Sequence, residues 1–96
     1  MYARVTTWEG GDAEAIRQMA QRINDDPSGP PEGVPAKRFL MLMDADAGKS
    51  VGIVFFETEE DMRKGHETLS GMDPQDDVGT RASVGLYEVG IDVGAP

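Results

Sequence analysis

Cysteine is absent from this sequence of 96 residues. Disulfide bonds, thiolate metal sites and a cysteine nucleophile are therefore excluded, and packing alone must hold the fold together. A chain of this length buries roughly 60 to 70% of its unfolded surface, which suffices for one hydrophobic core. We predict one domain over residues 1–92 and a tail over residues 93–96, in a reducing, cytoplasmic environment.

Long hydrophobic runs are missing as well. The longest uninterrupted apolar segment is residues 39–43, whereas a helix needs about 20 apolar residues to span a bilayer. The opening residues run directly into strand-like sequence and show neither a charged start nor the apolar core of a signal peptide. We therefore expect no membrane partner and no export.

Basic residues are few. Nine lysines and arginines stand against 18 aspartates and glutamates, which gives a formal net charge of −9. Such a charge repels phosphate backbones and anionic lipid surfaces, so we expect no nucleic-acid partner. The simplest role of the acidic residues is to keep the protein soluble.

The first third of the chain predicts a strand, a helix and a long loop. Residues 2–8 favour a strand that ends at Gly10, and Asp12 stands where a helix N-cap is expected. The predicted helix over residues 13–23 carries one apolar stripe, formed by Ile16, Met19, Ala20 and Ile23. Residues 24–35 hold four prolines and two glycines, which predicts a loop of a length often found over binding sites.

The rest of the chain predicts a hairpin, a second helix and a last strand. Residues 36–44 and 50–57 are apolar runs joined by a turn-forming pentapeptide. Thr58 is expected to cap a helix over residues 59–69, whose buried stripe contains Met62, Gly65, His66 and Leu69. With a strand over residues 80–91, the order β-α-β-β-α-β predicts the ferredoxin-like α+β class, with both helices on one face of a four-stranded antiparallel sheet.

Both faces of the predicted hairpin are apolar. Successive side chains of a strand point to opposite sides, yet large apolar residues occupy consecutive positions in residues 39–43 and 53–56. Two helices cover only one face, and burial of each large side chain on the other contributes about 1.5 to 3 kcal/mol. We therefore predict a homodimer that forms through the helix-free sheet face.

Several segments resemble the antibiotic biosynthesis monooxygenase (ABM) domain family. Residues 42–53 and 57–63 are similar to the hairpin and second helix of small bacterial proteins related to this family. Residues 3–7 and 86–89 are similar too, so the resemblance spans nearly the whole chain. It implies a dimeric α+β barrel in which each subunit holds an apolar cavity between its sheet and helices.

The characterised proteins of this family are of two kinds. Some are cofactor-independent oxygenases of phenolic or quinol-like substrates, and others degrade haem. The haem-degrading relatives combine an asparagine on strand one, a tryptophan on strand three and a histidine on helix two. Here His66 stands in the corresponding helix, but Phe56 replaces the tryptophan, and Thr6 or Thr7 replaces the asparagine. We accordingly predict no cofactor.

His66 is the predicted catalytic residue. It is the only histidine, its imidazole titrates near neutrality, and the helix stripe turns it inward as a proton shuttle or a haem ligand. A lone histidine on such a stripe is also common as a hydrogen-bonded structural residue. No second titratable group at a suitable spacing indicates acid–base catalysis, and no cluster of ligating residues indicates a metal site.

A set of predicted ligand-binding residues completes the candidate site. They are aromatic or flexible apolar side chains that suit a planar aromatic ligand: Trp8, Met41, Phe56, Met62 and Tyr87. Core packing explains the same residues equally well.

RNA-recognition domains share this strand order, and residues 49–56 partly fit their strand-three signature. The two stacking aromatics of that signature are missing, because Val51 and Ile53 occupy their positions. This mismatch and the net charge both argue against RNA binding.

Two hypotheses for function stay open. The first is a homodimer that binds or oxidises a small aromatic metabolite without a cofactor. The second is a non-enzymatic dimer, a stress-related or scaffold protein whose cavity is filled by its own side chains; haem binding or degradation is a third alternative. An open pocket of several hundred Å³ reached by His66 would favour the first hypothesis over the second.

Overall fold

The computed structural model describes residues 1–26, 29–72 and 79–95. Its elements follow the predicted order, with bounds β1 Tyr2–Glu9, α1 Ala13–Asp25, β2 Arg38–Asp44, β3 Lys49–Phe56, α2 Glu59–Ser70 and β4 Thr80–Glu88. All strand pairings are antiparallel, and the strands lie in the order β2-β3-β1-β4. The ferredoxin-like α+β class is confirmed.

Side-chain caps fix the start of both helices. The Asp12 carboxylate accepts a hydrogen bond from the backbone N–H of Ala15 at 3.0 Å, and the Thr58 hydroxyl accepts one from that of Asp61 at 3.1 Å. Each bond satisfies a donor that the first helical turn leaves without a partner, so both predicted helix starts are confirmed. No helix in the described part of the chain is long and apolar enough to cross a membrane.

A short 3-10 turn, Ala45–Ala47, joins β2 to β3. Gly48 ends this turn with a φ of 70°, in the left-handed region that favours glycine. Its carbonyl accepts a hydrogen bond from the N–H of Gly11 at 3.0 Å, which ties the hairpin to the segment between β1 and α1. A Cβ at Gly48 would lie 2.6 Å from the Gly11 carbonyl oxygen, so a larger residue requires backbone movement.

The register of the sheet sorts its side chains into two faces. Val54 pairs with Arg4 on one side and with Phe39 on the other, and these residues point toward the helices. The helix-free face collects apolar residues from all four strands: Val5, Leu40, Leu42, Val51, Ile53, Phe55 and Tyr87. Leu42 and Tyr87 expose 52% and 58% of their surface there. The central hairpin is thus apolar on both faces.

Two small cores lie between the sheet and the helices. Beneath α1, Ile16 is fully buried against Ala45 of the hairpin turn. Beneath α2, Phe56 and Met62 are buried together with Val34, which enters from the long loop. The predicted α2 stripe therefore faces the sheet, as its spacing indicates. The α1 stripe packs through Ile16 and Met19 on the hairpin turn and Met41, and its last member, Ile23, is 38% exposed.

Gly65 lets α2 approach β3 closely. A Cβ at this position would lie 2.5 Å from the Phe56 ring and 3.4 Å from the Val34 side chain. Since Gly65 lies inside a regular helix, packing and not backbone conformation requires glycine here.

The last strand is shorter than predicted. β4 ends at Glu88, although the spacing predicted it to continue to residue 91. The N–H of Val89 still donates to the Met1 carbonyl at 2.9 Å, but Gly90 follows. Ile91 is 84% exposed, so no packing of its side chain extends the strand.

The start of β2 also differs from the prediction. The strand begins at Arg38 and not at residue 36, because the N–H of Ala36 bonds back to the Val34 carbonyl at 2.8 Å within the loop. Residues 27 and 28 of the predicted loop and residue 96 of the predicted tail lie outside the described residues.

Replacement of Gly65 by alanine is expected to destabilise the fold by roughly 1 to 3 kcal/mol. The overpacking against Phe56 outweighs the gain in helix propensity, which is about 1 kcal/mol. The measurement is the midpoint of urea unfolding. Gly71→Ala is the matched control, because a Cβ there meets its nearest atom at an ordinary 3.7 Å. Equal midpoints for the two variants would contradict the packing role of Gly65.

Candidate functional site

A cavity of about 690 Å³ opens between the two helices and the sheet. Its described lining comes from α1, the following loop, β2, β3 and α2: Ile23, Asn24, Asp26, Gly29, Pro30, Pro31, Val34, Ala36, Lys37, Arg38, Phe39, Val54 and Leu69. This volume lies within the range of small-molecule sites, which is about 300 to 1,000 Å³.

The walls of this cavity are apolar. Val34 is buried and Val54 and Leu69 are half-buried, so these three form its inner end. Phe39 and Ile23 expose 49% and 38% of their surface on its outer part. The polar members of the lining are all exposed: Asn24, Asp26, Lys37 and Arg38. The cavity therefore suits a largely apolar molecule whose polar groups reach solvent.

The loop before β2 forms one wall of the cavity. The Thr68 hydroxyl of α2 donates to the Gly33 carbonyl at 3.3 Å, and the N–H of Lys37 donates to the Phe55 carbonyl at 2.7 Å. Between these two attachments Val34 enters the core beneath α2. The loop is thus tied to both α2 and β3 on the side where it meets the cavity.

Three of the predicted ligand-binding residues lie in the cores. Phe56 and Met62 are 0% and 4% exposed beneath α2, and Met41 packs beside Ile16 beneath α1. None of the three belongs to the described lining of the cavity. Phe56 and Met62 instead support its inner end, because the wall residue Val54 packs against them.

The other two predicted ligand-binding residues lie further away. Trp8 faces the helix side near the end of β1, where the guanidinium carbon of Arg81 lies 5.2 Å from its ring centre. Tyr87 lies on the helix-free face, because strand alternation separates it from Leu86 in the core. The structure therefore does not bring the five predicted residues into one site.

His66 lies on the sheet-facing side of α2, outside the described lining of the cavity. Arg4 donates from Nε to His66 Nδ1 at 3.1 Å, and the Ser70 hydroxyl lies 3.3 Å from the same nitrogen. A guanidinium has only donors, so Nδ1 must accept, and the single proton of the neutral ring resides on Nε2. The hydrogen bond from Arg4 thus fixes the tautomer of His66.

The surroundings of His66 favour its neutral form. Burial lowers the pKa of its imidazole, and the nearby cations Arg4, Arg63 and Arg81 lower this pKa further. A histidine that ligates iron needs one unprotonated ring nitrogen and usually donates its other N–H to a carbonyl or carboxylate. His66 has the reverse arrangement, since Nδ1 accepts from a cation while Nε2 carries the proton. His66 in this arrangement therefore does not fit the role of a ligand to haem iron.

Sequence reasoning missed the arginine beside His66. Arg4 is only 4% exposed, and it lies with Tyr2 and Thr6 on the face of β1 that points to the helices. A charged residue at an inward position of a strand is a signal for a functional site, but the sequence alone does not show which face of β1 points inward. The lining of the cavity gave no comparable signal, because its residues come from five separate segments.

No protein-family model and no curated protein matches this chain. Solved structures with a similar fold include the haem-degrading protein MhuD from Mycobacterium tuberculosis with two haems bound in its active site. That comparison has a TM-score of 0.63 and 18% identity, and covers 98% of this chain and 100% of the other.

A MhuD mutant with two manganese protoporphyrin IX molecules bound per active site is similar as well. Its TM-score is 0.64 at 17% identity, with 99% of this chain and 100% of the other covered. At identities this low, the two comparisons show a shared fold and nothing more. This fold agrees with the ferredoxin-like α+β fold that the ABM resemblance implies.

The lowered pKa of His66 predicts a pH dependence of stability. In the unfolded chain the His66 imidazole has its ordinary pKa of about 6.5, whereas in the folded chain this pKa is lower. The contribution of neutral His66 is therefore present above about pH 6.5 and is lost as the pH falls toward the folded-state pKa. Urea unfolding should show wild type losing stability relative to His66→Gln as the pH falls below about 6.5. If the free energies of unfolding of wild type and His66→Gln changed in parallel with pH, this prediction would be contradicted.

Proposed function

We propose that this protein binds a planar, largely apolar aromatic molecule in the cavity between α1, α2 and the sheet. The observation that carries the proposal is the cavity itself, about 690 Å³ in volume with apolar walls. MhuD, whose fold this chain shares, holds haem or manganese protoporphyrin IX in its active site. Both are planar aromatic macrocycles, which supports the same class of ligand here.

The proposed function is binding within an ABM-like domain, without acid–base chemistry at His66. General acid–base catalysis needs a titratable group within hydrogen-bond reach of the reacting atoms. His66 lies outside the described lining, and the charged lining residues Asp26, Lys37 and Arg38 are exposed. Haem fits the proposed ligand class by its planar shape. His66 does not fit the role of a ligand to its iron, because Nδ1 accepts a hydrogen bond from Arg4 and Nε2 carries the proton.

We propose further that two copies pair through the helix-free sheet face. Leu42 and Tyr87 are more than half exposed on this face, and the half-buried Val51, Ile53 and Phe55 continue the same apolar surface. Burial of each large side chain contributes about 1.5 to 3 kcal/mol, so the face as a whole provides enough for a stable association. A second copy offers the same apolar surface in a two-fold arrangement.

Replacement of Ile23 by lysine tests the binding proposal. The variant removes apolar surface from the outer wall of the cavity and adds a charge, so ligand affinity should fall by roughly tenfold or more. The matched control is Gln21→Lys, which adds the same charge to an exposed position of α1 outside the described lining. The probes are metal-free protoporphyrin IX and 1,8-dihydroxyanthrone, titrated by isothermal calorimetry.

Equal affinity of these two variants, or no binding of either probe to the wild type, would overturn the binding proposal. Haemin is titrated in parallel with wild type and His66→Ala. We expect the two haem absorption spectra to be the same, since His66 Nε2 carries the proton. A band of bound haem that disappears in His66→Ala would show that the tautomer assignment is wrong.

Replacement of Leu42 by glutamate tests the pairing proposal. A charge on the helix-free face should convert a dimer of the 10.4 kDa chain into a monomer. Met43→Glu is the matched control, because Met43 is the next residue of β2, is 49% exposed against 52% for Leu42, and points to the opposite face. The measurement is sedimentation equilibrium. A monomeric wild type, or a monomeric control alongside a dimeric Leu42→Glu, would contradict pairing through this face.

A further inference from the structure

Two arginines of the sheet contact α2. Arg4 projects from the centre of the sheet and is 4% exposed, and its Nη1 donates to the Thr6 hydroxyl at 2.9 Å while its Nε donates to His66. Arg81 projects from the start of β4 and stacks on the Trp8 ring. Ser70 links the two arginines, because its hydroxyl lies 3.3 Å from the His66 nitrogen that Arg4 contacts and its carbonyl accepts from Arg81 at 3.5 Å. Burial and the charge of Arg81 both lower the pKa of Arg4.

Every hydrogen bond that the structure gives these two guanidiniums goes to a neutral acceptor. Arg81 donates to the main-chain carbonyls of Met72 at 2.9 Å and Ser70 at 3.5 Å. Among residues 1–26, 29–72 and 79–95, neither arginine forms an ion pair with a carboxylate. The exposed Arg17 and Arg63, in contrast, contact carboxylates at 2.7 and 2.8 Å.

One nitrogen of each arginine has no hydrogen-bond partner. Arg4 Nη2 and Arg81 Nε are buried and bond to no described residue. An unpaired buried cation carries a large desolvation cost, which hydrogen bonds to an anion would offset. Guanidinium donors form a planar fork that matches the oxygens of a carboxylate or a phosphate. A carboxylate or phosphate oxygen is therefore the kind of acceptor that matches these donors best.

We propose that Arg4 and Arg81 form a binding site for an oxyanion, a carboxylate or phosphate group supplied by another molecule. His66 and Thr6 hold the Arg4 guanidinium in place, and Trp8 covers one face of Arg81. Ser70, the last residue of α2, is exposed and contacts both His66 and Arg81. Neither arginine belongs to the described lining of the cavity, so this second site does not depend on the proposed function.

The net negative charge of the protein makes two arginines without a described carboxylate partner unusual. The chain carries 18 acidic residues and a net charge of −9, yet no described carboxylate bonds to Arg4 or Arg81. A concentrated pair of cations is therefore the local feature that attracts an anion against the overall negative field.

Titration with inorganic phosphate and with benzoate tests the site, with sodium chloride at matched ionic strength as the control for screening. Binding is expected to shift the side-chain Nε–H resonances of Arg4 and Arg81 saturably and to raise Tm with ligand concentration. Arg4→Met should weaken the binding of the probe by roughly tenfold or more. Arg17→Met should leave it unchanged, since Arg17 is exposed and paired with Asp46.

Saturable shifts with either probe support the site, and the preferred probe identifies the anion as a phosphate or an aromatic carboxylate. No saturable shift with either, or equal binding by Arg4→Met, overturns it. Should Arg4→Met fail to fold, Arg81→Gln replaces it and must show the same loss. The sequence also holds Asp73, Asp76 and Asp77. Binding that appears only after all three are changed to asparagine would identify an internal carboxylate as the partner and overturn the proposal.

Discussion

The close contact between Gly65 of α2 and the Phe56 ring of β3 determines how closely α2 packs on the sheet. Because Gly65 has no side chain, the ring packs directly beneath the helix, and Val34 fills the space beside it. With α2 this close to the sheet, Leu69 lines the cavity and His66 accepts a hydrogen bond from Arg4. A larger residue at this contact would push α2 outward, so the cavity and the arginine pair share one structural support.

The two candidate sites use different physical interactions. The cavity offers apolar surface, which binds through the hydrophobic effect and dispersion and selects ligands by shape. The arginine pair offers buried charge, which selects ligands by the sign of their charge and by hydrogen-bond geometry. Each site carries an unfavourable free energy when no ligand is bound. Phe39 exposes 49% of its surface to water, and Arg4 Nη2 is buried without a hydrogen-bond partner among the described residues. A ligand that removes such a cost stabilises the folded state by mass action.

The alternation of the strands places the candidate cavity and the proposed pairing surface on opposite faces of the sheet. Residues next to each other in β2 point to opposite faces, so Leu42 belongs to the helix-free surface while Met43 belongs to the side of the helices. The same alternation in β4 places Leu86 in the core and Tyr87 on the helix-free face. Because each strand contributes to both faces, the sheet offers an internal cavity and an external apolar surface. Arg38 contributes to both, since it lines the cavity and its guanidinium carbon also lies 5.6 Å from the ring centre of Phe55 on the helix-free face.

The sequence by itself determined the order of the elements, the helix caps at Asp12 and Thr58, and the apolar character of both hairpin faces. These features are local, since they depend on periodicity, capping and turn chemistry within a few residues. Only the tertiary structure decided which face of each strand meets the helices and which residues surround the cavity. It also brought Arg4 and Arg81 together from the two ends of the chain. Such neighbours follow from strand register and helix packing, which join distant segments and leave no local pattern.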